Sequence, residues 1–80
     1  MDHDYDSVEW DEHKSAENGL FRGFGFDLAA QLFLVDYVEW ESRGRDFGEQ
    51  RFISIGPVEG RMLAVIWTPR GSSRRIISGG

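Results

Sequence analysis

Arg61-Met62-Leu63-Ala64-Val65-Ile66-Trp67-Thr68 is the stretch that decides how this chain folds. From Met62 to Trp67 every residue is apolar, so neither face of an extended strand here suits water. Such a strand belongs in the middle of a sheet with something covering each side. Working outward, Gly56-Pro57-Val58-Glu59-Gly60 reads as the turn before it: proline presets φ and glycine relieves the end. Arg51-Phe52-Ile53-Ser54-Ile55 is the preceding strand. Pro69-Arg70-Gly71-Ser72 turns the chain again, and Ser73-Arg74-Arg75-Ile76-Ile77-Ser78 is the last strand.

Toward the N-terminus the period changes. Residues 35–41, Val-Asp-Tyr-Val-Glu-Trp-Glu, interleave β-branched and aromatic residues with charges and predict a strand, followed by a loop over 42–48. Leu28 and Leu32, with Ala29 and Phe33, share one side at helical spacing, and Asp27 is the expected cap of that helix over 28–33. Asp11 caps an earlier helix over 11–18, with Gly19 as its expected stop and the glycine-spaced Gly23-Phe24-Gly25-Phe26 as the connection. Ser7-Val8-Glu9-Trp10 reads as a short strand, and residues 1–6 as a flexible arm. The order β-α-α-β-β-β-β predicts an α+β fold in which two N-terminal helices pack on one face of a mainly antiparallel sheet of four to five strands. Two short helices cover one face only, so the other is expected to meet a second copy or a different protein.

Eighty residues make one domain, 1–80, with a core too small for wide stability margins. Cysteine is absent, which removes disulfides and thiolate metal sites and suits a reducing cytoplasm. The acidic start, Met1-Asp2-His3-Asp4-Tyr5-Asp6, lacks the basic region of a secretion signal, and no apolar run reaches the roughly 18 residues of a membrane span. A cytoplasmic protein with no membrane partner is expected. The net charge of -5 is unevenly divided. Residues 1–49 hold 13 acids against Lys14, Arg22, Arg43 and Arg45, whereas residues 50–80 hold five arginines against Glu59. The C-terminal half therefore has the local positive potential that a polyanion needs, although arginines on a sheet face also serve plain solubility.

Four pieces of the chain stand out together. The first is Glu9-Trp10-Asp11 with Lys14, Asn18, Gly23, Phe26 and Ala29. The second is Gly48-Glu49-Gln50-Arg51-Phe52 with Ile55-Gly56. The third is Gly60-Arg61 leading to Val65, Thr68 and Arg70-Gly71, and the fourth is Arg75-Ile76-Ile77-Ser78. In this order and spacing they resemble the BrnT family of toxins. The resemblance implies a RelE-like fold, RNA cleavage without metal or other cofactor, and neutralisation by a DNA-binding antitoxin. Together with the uncovered sheet face, this leads to the expectation of a homodimer or a hetero-oligomer with that antitoxin. Carried over by position, Lys14, Arg51, Arg70 and Arg75 are the candidate catalytic residues, and Arg22, Arg61 and Arg74 the candidate RNA contacts. Arginine suits a phosphodiester because its rigid fork matches phosphate oxygens and keeps its charge. Arg51, which alternates with Ile53 and Ile55, and Arg75, which shares a face with Ile77, also have a structural reading, with the stem covering apolar surface.

The chain departs from the family pattern twice. Phe21-Arg22-Gly23 stands where the family carries Lys-His-Gly, and an arginine binds phosphate without shuttling a proton. Gly79-Gly80 stands where Ala-Arg and a basic C-terminal helix follow in the family. A truncated or degenerate relative that keeps the fold, acting as a non-catalytic interaction module, is the competing expectation. Other features point less far. His3 and His13 read as solvated rather than metal-bound, and Asp36, Glu39, Glu41, Asp46 and Glu49 have no fixed spacing for paired-carboxylate chemistry. Trp10, Trp40, Trp67 and the phenylalanines suit core packing better than base stacking.

Overall fold

The computed structural model describes residues 5–42 and 48–80. Strand β1 (Ser7–Glu9) leads into helix α1 (Glu12–Arg22), then a short helix α2 (Phe26–Ala30) that tightens into a 3-10 turn over Gln31–Leu34. Strands β2 (Val38–Ser42), β3 (Arg51–Val58), β4 (Arg61–Arg70) and β5 (Ser73–Gly79) follow. They form one five-stranded sheet in the order β1-β5-β4-β3-β2, antiparallel throughout except that β1 runs parallel to β5. The expected α+β layout, with β4 central, is what forms. No helix among the described residues is long and apolar enough to cross a membrane.

The boundaries shift for local reasons. Helix α1 starts as expected at Asp11, whose carboxylate accepts from the backbone N–H of His13 at 2.8 Å and of Lys14 at 3.3 Å. Those two contacts, Lys14 first, hold the Asp11 carboxyl below its usual value. The helix does not stop at Gly19. It runs on to Gly23, which takes the left-handed φ of 88° and returns its N–H to the Gly19 carbonyl at 3.1 Å. Mid-helix glycine costs about 1 kcal/mol, and Leu20 and Phe21 in the turn after it stay exposed. Helix α2 is capped by Gly25 rather than Asp27, and the Phe26 N–H is taken up by the Ser15 hydroxyl of α1 at 2.8 Å.

Strand β3 continues through Gly56-Pro57, and the reversal is the two-residue Glu59-Gly60, with φ of 49° and 82°, the pattern of a type I′ hairpin. Gly56 is bare because the 3-10 turn lies on it: a Cβ there would stand 2.7 Å from Leu32 Cδ1 and 2.9 Å from the Asp36 carbonyl oxygen. Strand β2 accordingly begins at Val38, three residues later than its composition suggests. Most of the expected 42–48 loop, residues 43–47, lies outside the described residues, as do residues 1–4 of the expected arm. Tyr5 and Asp6, by contrast, are tied down, Tyr5 edge-on to Trp67 at 5.2 Å and Asp6 donating to the Ser72 carbonyl at 2.8 Å.

The core lies between the helices and one sheet face, around Phe24, Phe26, Ala29, Leu32, Val58, Leu63, Val65, Trp67 and Ile76. Trp67, fully buried, stacks on Phe52 at 4.8 Å and donates to the Ser54 hydroxyl at 2.9 Å. Ser54 in turn donates to Glu39 at 2.7 Å, so one hydroxyl joins β4, β3 and β2. Asn18 seals the free edge of β5: its Oδ1 accepts from the Gly79 N–H at 3.3 Å while its Nδ2 donates to the Phe24 carbonyl at 2.9 Å. The opposite sheet face has no covering element among the described residues.

Candidate functional site

Strand alternation assigns the basic side chains of β3, β4 and β5 to a face. On β3, Phe52, Ser54, Gly56 and Val58 point to the helices, so Arg51, Ile53 and Ile55 point to the open side. On β4, Leu63, Val65 and Trp67 point in, leaving Ala64, Ile66, Thr68 and Arg70 on the open side. The β4–β5 hairpin register sets Ser73 opposite Arg70 and Arg75 opposite Thr68, and a shift beyond Trp67 skips Ile77, so that Ser78 opposes Ile66. One row on the open face therefore reads Ser42, Arg51, Thr68, Arg75, Glu9 across all five strands, with Arg70 and Ser73 in the next row.

The three guanidinium groups are held by carboxylates. Arg51 Nε lies 3.2 Å from Glu49 Oε2, and an Arg70 terminal nitrogen lies 3.5 Å from the other oxygen of Glu49. Glu49 thus bridges two arginines from different strands, much as two oxygens of a phosphate would. Arg75 Nη1 lies 2.9 Å from Glu9 of β1. Thr68, buried between Arg51 and Arg75, donates to the Gln50 carbonyl at 2.6 Å and fixes the start of β3. The sequence places Glu49 in the Gly48-Glu49-Gln50-Arg51-Phe52 piece and among carboxylates without fixed spacing, and assigns it no part in the site. The signal lay in its spacing two residues before Arg51, which sets both on one side of an extended segment.

The other candidates sit elsewhere. Lys14 and Arg22, on α1, line a cleft of about 390 Å³ against Ile77 and Ser78, and Arg22 also borders a second hollow of about 330 Å³ over Ile53, Ala64 and Ile66. Arg61 opens β4 on the helix side, its guanidinium 5.4 Å from the Phe24 ring centre. Arg74, expected at the surface, is 8 % exposed on the helix face. Its guanidinium carbon lies 4.2 Å from the Phe33 ring centre, 4.9 Å from Trp67, 5.0 Å from Tyr5 and 5.8 Å from Tyr37. It donates to the Tyr37 hydroxyl at 2.7 Å, and its Nε is buried without a partner. Burial pushes the Tyr37 hydroxyl above its ordinary value, against the pull of Arg74. An arginine enclosed this way is core, so the surface placement expected for Arg74 is corrected. His13 is exposed, 3.7 Å from Glu17, and no group of three or more metal-ligating side chains occurs among the described residues.

The sequence model of the "Ribonuclease toxin, BrnT, of type II toxin-antitoxin system" family matches residues 10–79. The chain belongs to the BrnT family. The crystal structure of the Brucella abortus ribonuclease toxin BrnT superposes with a TM-score of 0.72 at 30 % identity, covering 91 % of each chain. No curated protein matches at a significant level. The match spans α1, α2 and strands β2 to β5, so the arginine-bearing face lies within the BrnT portion of the chain.

Proposed function

We propose that this chain is an endoribonuclease toxin, RelE-like in fold, that cleaves RNA on its open sheet face without a metal ion and is neutralised by a DNA-binding antitoxin. The observation that carries the reading is the convergence of Arg51, Arg70 and Arg75 from three strands onto that face, two of them already bridged by one carboxylate. Type II membership supplies the RNA target and the antitoxin partner.

The chemistry asked of the site is transesterification. The ribose 2′-oxygen bonds to the adjacent phosphorus, the bond from phosphorus to the 5′-oxygen breaks, and a 2′,3′-cyclic phosphate and a 5′-hydroxyl result. Charge builds on the non-bridging phosphoryl oxygens, where fixed guanidinium donors stabilise it more than in the ground state. Guanidinium groups keep their protons, so the 2′-hydroxyl proton passes to water and the 5′-oxygen is protonated from water. Arg51 and Arg70, exchanging Glu49 for phosphate, are the pair assigned to the reacting group, with Arg75 exchanging Glu9. Lys14 and Arg22, across the β5 edge, are assigned to the RNA backbone on either side.

The test is cleavage of purified RNA in excess EDTA. The wild type is expected to release cyclic-phosphate ends, and Arg70→Ala to lose about 10²–10³-fold in rate, the scale of one lost charge-stabilising donor, with its fold intact by circular dichroism. Cleavage abolished by EDTA, or unchanged in Arg70→Ala and Arg51→Ala alike, refutes the proposal. A second reading rests on Val38 and Met62, 62 % and 64 % exposed on the same face: a homodimer or partner interface that needs no catalysis. A folded, inactive dimer in sedimentation would favour it.

A further inference from the structure

Trp40 is the large aromatic residue that, among the described residues, the fold leaves exposed on the open sheet face beside Arg51. It faces outward from β2, 47 % exposed, while Trp67 is sealed in the core and Trp10 is half-buried with its indole N–H on Glu12 at 3.0 Å. Its cross-strand partner is Ile53, and the same row continues through Ile66 to Ser78. Arg51 is diagonal to it, two residues along the neighbouring strand. Same-face diagonal positions stand roughly 7–8 Å apart, within reach of long and aromatic side chains. That is about the span from a nucleobase to the phosphate of its own nucleotide.

The floor beside Trp40 is apolar, and the hollow of about 330 Å³ over Ile53, Ala64 and Ile66 runs from there to Arg22 and Asn18 at the β5 edge. Arginines therefore stand at both ends of an apolar trough: Arg51, Arg70 and Arg75 at one, Arg22 at the other. Among the described residues, Glu49 and Glu9 pair with the arginines at one end and Glu17 shares the cleft of Lys14 and Arg22 at the other, so the basic groups outnumber the acids beside them. An alternation of cations with flat apolar surface fits single-stranded nucleic acid, whose phosphates and bases alternate in the same way.

We infer that Trp40 is a stacking platform for an RNA base next to the scissile phosphate, with Ile53 and Ile66 as the floor under the neighbouring base. This rests on the ribonuclease reading and names the residue that positions the substrate for it. Stacking uses the π-face common to all bases, so the contact sets affinity and register with at most a modest preference for purines. Trp40 touches substrate but supplies no charge or proton, so its loss raises KM more than it lowers kcat.

The experiment titrates the protein with a 2′-O-methyl RNA octamer, which lacks the attacking hydroxyl, following tryptophan fluorescence and anisotropy. Wild type is expected to bind with quenching. Trp40→Leu, which keeps apolar bulk without a ring, should lose the quench and bind roughly 5- to 150-fold more weakly, the range for one stacked base; Trp40→Phe should retain most of the affinity. Cleavage by Trp40→Leu should show the KM-weighted loss. The inference is overturned if Trp40→Leu binds like wild type while Arg51→Ala does not, because the arginines would then hold RNA without it. It is also overturned if Trp40→Leu changes only the sedimentation mass, which would make the tryptophan a contact between copies of the chain. If wild type and all variants fail to bind the octamer, the ribonuclease reading fails, and the inference with it.

Discussion

Replacing Arg74 separates shape from charge in the core. The guanidinium is enclosed by Phe33, Trp67, Tyr5 and Tyr37 and bonded to the Tyr37 hydroxyl. Desolvated cation–π contact contributes about 2 kcal/mol or more, and a hydrogen bond from a charged donor about 1.5–3 kcal/mol. Against these stand the several kcal/mol that burying an ion without a carboxylate costs and about 1–3 kcal/mol for the orphaned Nε. The two sides nearly cancel, so Arg74→Met, which keeps an unbranched apolar stem, is expected within about 1.5 kcal/mol of wild type. Arg74→Ala loses the packing as well and leaves a cavity, for a loss of about 2–5 kcal/mol. At roughly 4–8 °C per kcal/mol for a domain of this size, that is a fall in Tm of roughly 8–40 °C. Arg74→Lys keeps the charge but not the flat stack, and its strongly hydrated ammonium resists burial, so it should be less stable than Met. Thermal unfolding by circular dichroism decides. If Lys matches wild type while Met collapses, charge rather than shape is what the site requires, and the accounting above is wrong. RNA affinity of the Met variant should equal wild type, because residue 74 lies on the face away from Arg51 and Arg75.

Ser54→Ala should cost about 1–3 kcal/mol in chemical denaturation, because the buried Trp67 indole N–H loses its acceptor; an unchanged midpoint would show that another acceptor takes over. Glu49→Gln should tighten binding of the RNA octamer by roughly 3- to 10-fold in low salt and little in 0.5 M salt, since a competing anion is removed from Arg51 and Arg70; weaker binding would mean that Glu49 orients the arginines instead. The Asp11 carboxyl is held below its unfolded value of 3.8, so its stabilising contribution is full above that pH and is lost as pH falls through the lower folded value. In acid titrations by far-ultraviolet circular dichroism, Asp11→Asn should keep the helix cap and lose that part of the pH dependence. The Tyr37 hydroxyl is raised above its ordinary 10.0, so its contribution is present below pH 10 and lost as pH rises through the higher folded value. Absorbance titration at 295 nm should find it higher still in Arg74→Met.

The strands were legible where alternation is strong and illegible where a single residue breaks it. Met62 to Trp67 announced β4, and the strands on either side followed from their turns. The β3–β4 register did not, because Gly56-Pro57 looks more like a turn than Glu59-Gly60, and only the short contact with Leu32 explains why a glycine stands inside a strand. Gly19 and Gly23 are equally plausible stops by composition; the difference is the left-handed φ that only Gly23 adopts. The basic positions were legible as residues and not as a surface. Arg51 and Arg70 share a face only once the β3–β4 register is known, and Arg75 joins them only through the register of the β4–β5 hairpin. Arg74 was misplaced because fully buried arginine is rare, and nothing local in Ser73-Arg74-Arg75 says which neighbour turns inward.

That last ambiguity links the core to the site. Adjacent residues of a strand point to opposite faces, and a slip of one residue would exchange Arg74 and Arg75. The aromatic enclosure fixes the choice: once Arg74 is seated among Phe33, Trp67, Tyr5 and Tyr37, Arg75 must face outward beside Thr68 and Glu9. The rings come from the N-terminal segment, the turn after α2, the approach to β2 and strand β4, so the enclosure closes only when the whole chain has folded. Methionine at 74 preserves this bias, being apolar and long, and should leave Arg75 presented; a residue that prefers water weakens it. The buried arginine thus sets the orientation of the exposed one, and the arginine face is a consequence of the core beneath it.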